Sequence, residues 1–398
     1  MSTRFLESIL SIKKQDWNAL WPDYPFTRHE FLSALEVNHC TSEKTGWKPL
    51  HLVIEDNNKL LAALPLFIKS DSWGEYVFDW AWADAYHRSG LDYYPKLLNA
   101  IPFTPATGPR IGFDKTLSSK NKQQLSWALF DACKEKNDEI SGSGFHCLFP
   151  QKTQLEYFKG LNLHQRMGCQ FHWFNQNFNS FEEFLNTFNS RKRKALKKER
   201  QKVQDAKIEI EILSGKEISE EYWHTFFIFY HTTYLKRSGR YGYLTKEFFL
   251  DIAESMPDSI VLIVAKKHGS AVAMALYFRD KYTLYGRYWG CSEDIDCLHF
   301  ELCYYQGIEY AIKNRLQRFD PGAQGEHKIQ RGFTPVYTTS FHCLNNDSFN
   351  QAVGEFVKTE KLHLQDYLKE TRKQMPFKDG FQSVNENILL TELCNQQL

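Results

Sequence analysis

The densest group of chemically able residues lies in one stretch, Gly322-Ala323-Gln324-Gly325-Glu326-His327-Lys328-Ile329-Gln330-Arg331-Gly332. It sets a carboxylate, an imidazole, an ammonium and a guanidinium among glycines, which let backbone N–H groups approach a ligand closely. Glu326 or His327 can serve as a base, and Lys328 and Arg331 can hold a phosphate or a carboxylate. A solvated turn whose charges pair with each other has the same composition. Upstream, Glu301 follows His299 at the start of a helical segment, where it suits either the helix dipole or a catalytic role. Arg287 lies mid-strand between Tyr285 and Trp289 on an aromatic-rich face. A buried guanidinium there requires a partner. It is either a structural ion pair, with Glu301 or Glu326, or, beside Tyr285, a substrate clamp.

Two further groups are candidates for binding. Asp79 and Asp84 flank Trp80 and Trp82, followed by Tyr86, His87 and Arg88. Acidic and aromatic surfaces bind sugars and amines, and they also occur as half-buried strands. Asp84, Tyr94, Lys96 and Arg110 are the ligand candidates here, Lys96 and Arg110 bracketing a Pro-rich loop that can hold an anion. The second group runs from Arg191 to Lys202, with Glu199 as its only acid. Like charges at i,i+4 cost about 0.2–0.5 kcal/mol per pair. An anionic partner, whether tRNA, a phosphorylated lipid precursor or the phosphates of a small donor, would offset that repulsion. Arg191, Arg193, Lys194 and Lys197 are the anion-binding candidates; the alternative is a solvated charged face.

The elements that must position these residues follow from periodicity and turn chemistry. Thr27 to Val37 reads as a helix with Phe31, Leu32 and Leu35 as its stripe. Leu50 to Ile54 and Leu60 to Ile68, around Asp56-Asn57-Asn58-Lys59, read as a hairpin. Tyr76 to Trp82 reads as a third strand. Asp92 to Ala100 reads as a helix with Pro95 in its first turn, Lys122 to Lys136 as a helix and Gly144 to Phe149 as a strand. The order then repeats. Ser259 to Ala265 and Ser270 to Phe278 form a hairpin, Tyr282 to Trp289 an aromatic strand, and Cys297 to Asn314 a helix. Each half pairs an aromatic strand with a Tyr-Tyr helix (Tyr93-Tyr94, Tyr304-Tyr305) and ends on a Gly/Pro-rich loop, which points to a duplicated α/β unit. Between the halves, Phe181 to Ala206 reads as one long helix opened by a Ser180/Glu183 capping box. The division expected is 1–165, 166–375 including the basic helix, and a loosely packed tail, 376–398.

The 398 residues carry 49 Lys plus Arg against 48 Asp plus Glu, a net charge of +1. That balance argues against a general nucleic-acid coat or a polybasic membrane anchor. Nine cysteines, an odd number with no C-x-x-C pair, do not form a disulfide framework or a zinc set, so no metal is expected. Cys303 reads as a small apolar residue on a helix face, and Cys291 and Cys297 as free thiols. The N-terminal MSTRFLESILSIKKQDW lacks the apolar core of a signal peptide, and no run approaches a membrane span. A cytoplasmic protein with no stable membrane insertion is expected.

Several long strings go further: TGWKPLHL (Thr45–Leu52), GEYVFDWAWADAY (Gly74–Tyr86), YYPKLLNAIPFTPATGPR (Tyr93–Arg110), LYGRYWG (Leu284–Gly290), LHFELCYYQGIEYAI (Leu298–Ile312) and PGAQGEHKIQRGF (Pro321–Phe333). With them the chain, from about Phe26 to Tyr367, resembles the FemAB-like family of predicted bacterial N-acyltransferases, concerned with peptidoglycan biosynthesis or recognition. The resemblance implies an α/β fold of two tandem GNAT (acyl-CoA N-acyltransferase) units, with mixed central sheets flanked by helices. In Fem-type relatives such a pair transfers an amino acid from aminoacyl-tRNA to the amine of a cell-wall precursor. Arg191–Lys198 resembles the basic helix near the start of their second unit. Fem-type enzymes that grip tRNA can carry a long helical arm, and this chain has no heptad hairpin. Acyl-CoA and aminoacyl-tRNA therefore both stay open as co-substrate, with a small-molecule or lipid-linked amine as acceptor. GNAT folds cradle pyrophosphate at a helix N-terminus, and here the matching loop, Cys291 to Asp296, is acidic. Three readings follow: an N-acyltransferase, a non-catalytic module that recognises peptidoglycan or its precursors, and a tRNA- or RNA-binding accessory protein resting on the basic helix alone.

Overall fold

A computed structural model of the chain describes residues 1–323 and 325–381. The chain forms two compact units, Met1–Gly168 with Tyr337–Asp366, and Cys169–Val336 with the described residues from 367 to 381.

In the first unit a hairpin pairs His51–Asp56 with Lys59–Leu64. Asn57 and Asn58 both take positive φ, 49° and 63°, the left-handed pair that matches a two-residue turn to strand twist. Ser2–Leu6 lies antiparallel outside the hairpin. After Leu64 the chain passes Pro65 and Leu66 and continues as Phe67–Lys69, which pairs antiparallel with Lys96–Asn99. Lys96–Asn99 runs parallel to Gly144–Leu148, and the helix Ser119–Glu139 lies between them in the chain. Ser118 caps that helix by accepting from Asn121 N. Its Leu125, Leu129 and Cys133 pack against Leu52, Ile54, Leu64, Leu97 and Phe145 as the core.

The second unit repeats this order. Ile260–Lys267 and Ser270–Arg279 form the hairpin, turned at His268 and Gly269 with positive φ. Glu209–Ser214 lies outside it. Thr283–Cys291 follows antiparallel, interrupted by a bulge at Leu276/Tyr277. Arg318–Asp320 lies parallel to Thr283–Cys291. The residues joining these two strands wind as Leu298–Phe300, the π-helical turn Glu301–Tyr305 and the α-helix Gln306–Lys313. His164–Phe174 pairs antiparallel with Arg318–Asp320 on the far side. In the first unit Thr334–Leu344 takes the same place against Gly144–Leu148. Outer strand, hairpin, strand, parallel strand and last strand thus recur in one order, within one sheet in the second unit and split between two sheets after Leu64 in the first, the tandem α/β architecture expected.

Four details differ from the sequence reading. Residues 337–366 belong to the first unit. The strand ending at Leu344 completes that unit's sheet, and Val353 and Val357 of the helix Asp347–Lys373 bury against Trp82, Tyr86 and Tyr93. Tyr76 to Trp82 is no strand: residues 70–79 form a loop leading into the helix Trp80–Arg88. Trp82 and Tyr86, four apart, share its buried face. The segment after Asp92 is a strand, not a helix. Lys96–Asn99 is buried at every position between two neighbours, and that tertiary demand overrides helical spacing. The expected 181–206 helix is two: Phe181–Leu185 and Ser190–Asp205. Asn189 supplies a new cap by accepting from Lys192 N at 3.0 Å. Of the tail, Phe377 packs on Phe188, and Lys378 N bonds Thr187 O; 382–398 lie outside the described residues.

Candidate active site

The chemistry-bearing residues of the second unit sit on its crossover and on the turn after it. Within the crossover, Gln306 N–H donates to Glu301 O rather than to residue 302, and the carbonyl of Leu302 accepts from Tyr277 OH instead. π-turns of this kind recur at functional sites. After Arg318–Asp320 the chain turns at Gly322, then winds Glu326–Arg331 as a 3-10 turn flanked by Gly325 and Gly332. Gly332 has φ +83°, and a Cβ there would meet the Phe184 ring at 2.7 Å. Ile329 and Phe333 anchor the turn in the core.

This turn meets the crossover through side chains. His327 Nε2 and Tyr304 OH are 2.8 Å apart. Burial lowers the His327 pKa, and the cations Arg331, Lys328 and Arg237 lower it further, so the imidazole is neutral. His299, in edge contact with Trp289 and Tyr304, is pushed down to about 3 by burial and then by the cations Arg237, Arg331 and Lys328. Lys328, 2% exposed, donates from Nζ to Gly322 O at 2.8 Å. Burial lowers its pKa to about 8, against the attraction of Asp320. Arg331 donates to Tyr305 OH, His327 O and Glu199, and its guanidinium lies 3.4 Å from the centre of the Phe300 ring.

Asp320 stands beside Lys328 as the buried acid of this region. It accepts Gly322 N at 2.9 Å and Arg287 Nη2 at 3.3 Å, with His172 Nε2 at 3.7 Å. Burial raises its pKa, but Arg287, the Gly322 N–H and Arg318 outweigh that and hold it below the ordinary carboxylate value. His172 itself is driven to about 3 by burial, despite Asp320.

The sequence candidates separate on this geometry. His327, Lys328 and Arg331 gather against Tyr304, Tyr305 and Phe300. Arg287 finds its acid in Asp320, not in Glu301 or Glu326. Glu301 is 3% exposed and taken by Arg200, at 2.7 Å, and by Gln306; the carboxylate anchors the basic helix and is not placed to accept a substrate proton. Glu326 turns outward to Tyr367 OH at 2.7 Å. Tyr285 is pinned to Asp280, which also caps Tyr282 N and Thr283 N, so it belongs to a turn rather than to the His327 group.

In the first unit, Lys96 is buried and donates to Ser72, Glu75 and Asp79, while Tyr94 shares a hydrogen bond with Ser72. Arg110 spends its guanidinium on the carbonyls of Ala106, Pro109 and Leu148 and is a structural brace. Asp84 is exposed and pairs locally with Arg88. A surface cavity of about 830 Å³ in this unit, lined by Lys152, Phe158, Lys159, Asn162 and their neighbours, takes in none of the candidates.

Along the basic helix, Arg200 is bidentate to Glu301 and Glu309 and lies over Phe181. Lys202 pairs with Asp296, Lys192 with Gln330, Arg193 with Asn186 and Lys197 with Glu182. Arg191, Lys194, Lys197 and Lys198 stay exposed. Sequence reasoning missed Tyr304, Tyr305, Asp320, His172 and Glu199 as site members. Glu199 did carry a signal, as the one acid in a basic run. Among the described residues no group of three or more His, Cys, Asp or Glu side chains could hold a metal ion, and no helix is long and apolar enough to cross a membrane.

Comparison with solved structures places the fold. FemX aligns over 89% of this chain and 100% of its own, at 12% identity and a TM-score of 0.52. The C-terminal domain of a putative lysylphosphatidylglycerol synthetase from Agrobacterium fabrum aligns over 85% and 95%, at 10% identity and 0.49. A tandem GNAT protein from the clavulanic acid biosynthesis pathway aligns over 87% and 99%, at 8% identity and 0.45. No curated protein matches in sequence. The family model that matches spans residues 8–379, nearly the whole chain. With that span the chain belongs to the FemAB-like family, described as peptidoglycan biosynthesis/recognition.

Proposed function

We propose that the protein is an N-acyltransferase that moves an acyl or aminoacyl group onto an amine of a peptidoglycan precursor. The observation that carries this reading is a neutral imidazole and a buried, weakly basic ammonium side by side on one turn, His327 and Lys328. The amine nitrogen attacks the donor's carbonyl carbon, and a C–N bond forms. The proton it sheds passes to His327, whose ring is oriented by Tyr304. Negative charge collects on the former carbonyl oxygen, where Lys328 can turn from Gly322 O to donate. Collapse breaks the bond to the thiol or ribose leaving group, which takes the proton back.

Acyl-CoA and aminoacyl-tRNA both fit as donors. Both carry phosphates, for which Arg191, Lys194, Lys197 and Lys198 remain exposed. The test is the mass of a peptidoglycan-precursor acceptor after incubation with each donor. His327→Gln and Lys328→Met should each lower turnover by about 10²-fold or more while precursor binding persists. Full turnover in both variants would place the chemistry elsewhere. The exposed Trp73, Phe78 and Trp80 of the first unit favour a second reading, a recognition module. Precursor binding without transfer from either donor would decide for it.

A further inference from the structure

Lys69 and Lys96 occupy directly opposed positions on neighbouring antiparallel strands of the first unit. Both are 0% exposed. Like charges directly opposite each other in a sheet destabilise it, and a buried ammonium must be paired. The pairing comes from one loop, residues 70–79, which folds over the two lysines. Asp79 Oδ2 accepts from Lys96 at 2.5 Å and from Tyr93 OH at 2.7 Å. Asp71 Oδ1 and the Trp73 carbonyl accept from Lys69 at 3.2 and 3.3 Å. Glu75 Oε2 lies 3.0 Å from Lys96; its Oε1 is buried with no hydrogen-bond partner among the described residues.

The loop is also conformationally forced. Tyr76 takes φ 62°, left-handed for a residue with a large side chain. The same segment leaves Trp73 and Phe78 exposed to 43% and 53%. A strap that existed only to cover two lysines would bury these rings rather than display them. We propose that Lys69 and Lys96 form an anion-binding site in the first unit, which Glu75 occupies until a doubly charged oxyanion displaces it and the 70–79 loop lifts.

The charges around Glu75 give the site a pH sense. Burial raises the Glu75 pKa to about 7, against Lys96 and Lys69. Burial lowers Lys69 to about 8, against Glu75 and Asp71. The other groups facing the cluster hold their state across this range. Burial opposes the charge on both Asp79 and Lys96, yet their mutual attraction keeps Asp79 ionised and Lys96 protonated. Tyr93 and Tyr94 are raised by burial. His146 and His342, beyond Asp79, are held neutral by burial. From pH 8 to pH 6 the site therefore gains a cation at Lys69 and loses an anion at Glu75, so anion affinity rises.

Sulfate, doubly charged throughout this range, is the probe. On the full chain, isothermal titration should show binding at least tenfold tighter at pH 6 than at pH 8. Sulfate should also speed amide hydrogen exchange in residues 70–79. Glu75→Gln should bind more tightly than the wild type at pH 8, but less tightly than the wild type at pH 6 because Lys69 is still only partly protonated at pH 8, and Lys69→Met should lose the binding. Should Lys69→Met fail to fold, Glu75→Gln decides alone, because it keeps the shape of the side chain and removes only its charge. Sulfate affinity indifferent to Glu75→Gln, or exchange in 70–79 unchanged by sulfate, would overturn the proposal and leave the cluster a structural ion network. Sulfate held on the exposed lysines of the basic helix would respond to neither.

Discussion

Lys328 lets the cost of a functional charge be measured apart from function. Its ordinary pKa of 10.5 falls to about 8 in the folded chain because burial disfavours the ammonium, with Asp320 only partly opposing. The shift is 10.5 − 8 = 2.5, and at 1.36 kcal/mol per pKa unit this is about 3 kcal/mol of destabilisation below pH 8. Between pH 8 and 10.5 the unfolded chain binds more protons than the folded one, so this group makes stability rise with pH across that window. Lys328→Met removes the penalty and fills the same channel with an apolar chain. It also forfeits the bond to Gly322 O, worth about 1 kcal/mol. The variant should therefore be more stable than the wild type by about 2 kcal/mol at pH 7, or about 4–8 °C in Tm for a unit of this size. The advantage should shrink to nothing or reverse by about pH 10.5. Differential scanning calorimetry of both proteins from pH 6 to 10.5 reads the difference directly, and other titrating groups cancel. The same variant should lose acyl transfer. A variant destabilised at neutral pH, or a difference that does not change with pH, would refute the claim that Lys328 is a strained charge retained for chemistry. It would be a structural ion-pair member instead.

Three other outcomes follow from particular contacts. Arg200→Met leaves Glu301 buried without its cation and should cost about 3–5 kcal/mol in urea unfolding; adding Glu301→Gln should restore a large part of that. Replacing Arg191, Lys194, Lys197 and Lys198 together by Gln touches no buried partner. It should leave Tm unchanged or slightly raised, and weaken binding of any polyphosphate donor with a shallower salt dependence in filter-binding assays. Unchanged affinity would return the helix to a solvated face. Gly332→Ala combines a left-handed φ with a Cβ overlapping the Phe184 ring. It should lower Tm measurably and, by displacing the turn that carries His327 and Lys328, lower turnover more than substrate binding.

The fold was legible where local chemistry and tertiary demand agree. Asn57-Asn58 and His268-Gly269 each lie between apolar runs, and each forms the hairpin that such turns specify. The reading failed where burial decided. Lys96–Asn99 lies between two strands and is buried throughout, so its helical spacing was irrelevant. The aromatic run near Trp80 alternated like a strand, but Asp79 and Glu75 are drawn to Lys96, and the chain can reach helix Trp80–Arg88 only by looping. Each misreading also displaced the repeat. The counterpart of Thr283–Cys291 is Lys96–Asn99, the strand in each unit with a parallel neighbour, and not the Tyr76 segment. The last strand of the first unit, ending at Leu344, comes after all the other strands of the second unit in the chain. Nothing local to its sequence distinguishes which sheet it completes, since pairing supplies the same backbone bonds to either.

The site divides along the same line. Residues adjacent in the chain stay together because the backbone holds them: His327, Lys328 and Arg331 share a six-residue turn, and their proximity could be read directly. Partners could not. Arg287 required an acid, and two glutamates were candidates, yet it is Asp320 that the parallel register brings beside the strand. Glu301 had the composition of a base at a helix start, but Arg200, 101 residues earlier, consumes it. The difference is physical. A carboxylate's chemistry depends on what desolvates and pairs it, and those groups arrive from distant segments. In the proposed mechanism the base is therefore not the nearer carboxylate, Glu326, whose oxygen is engaged by Tyr367. It is the imidazole next to it, kept neutral by burial and by cations that also suit the turn to a developing negative charge. That coupling makes the assignment testable by charge alone. Removing the positive charge of Arg331 should raise the His327 pKa and move the acid limb of the rate profile upward in pH. Loss of rate without such a shift would mean that Arg331 only braces the turn.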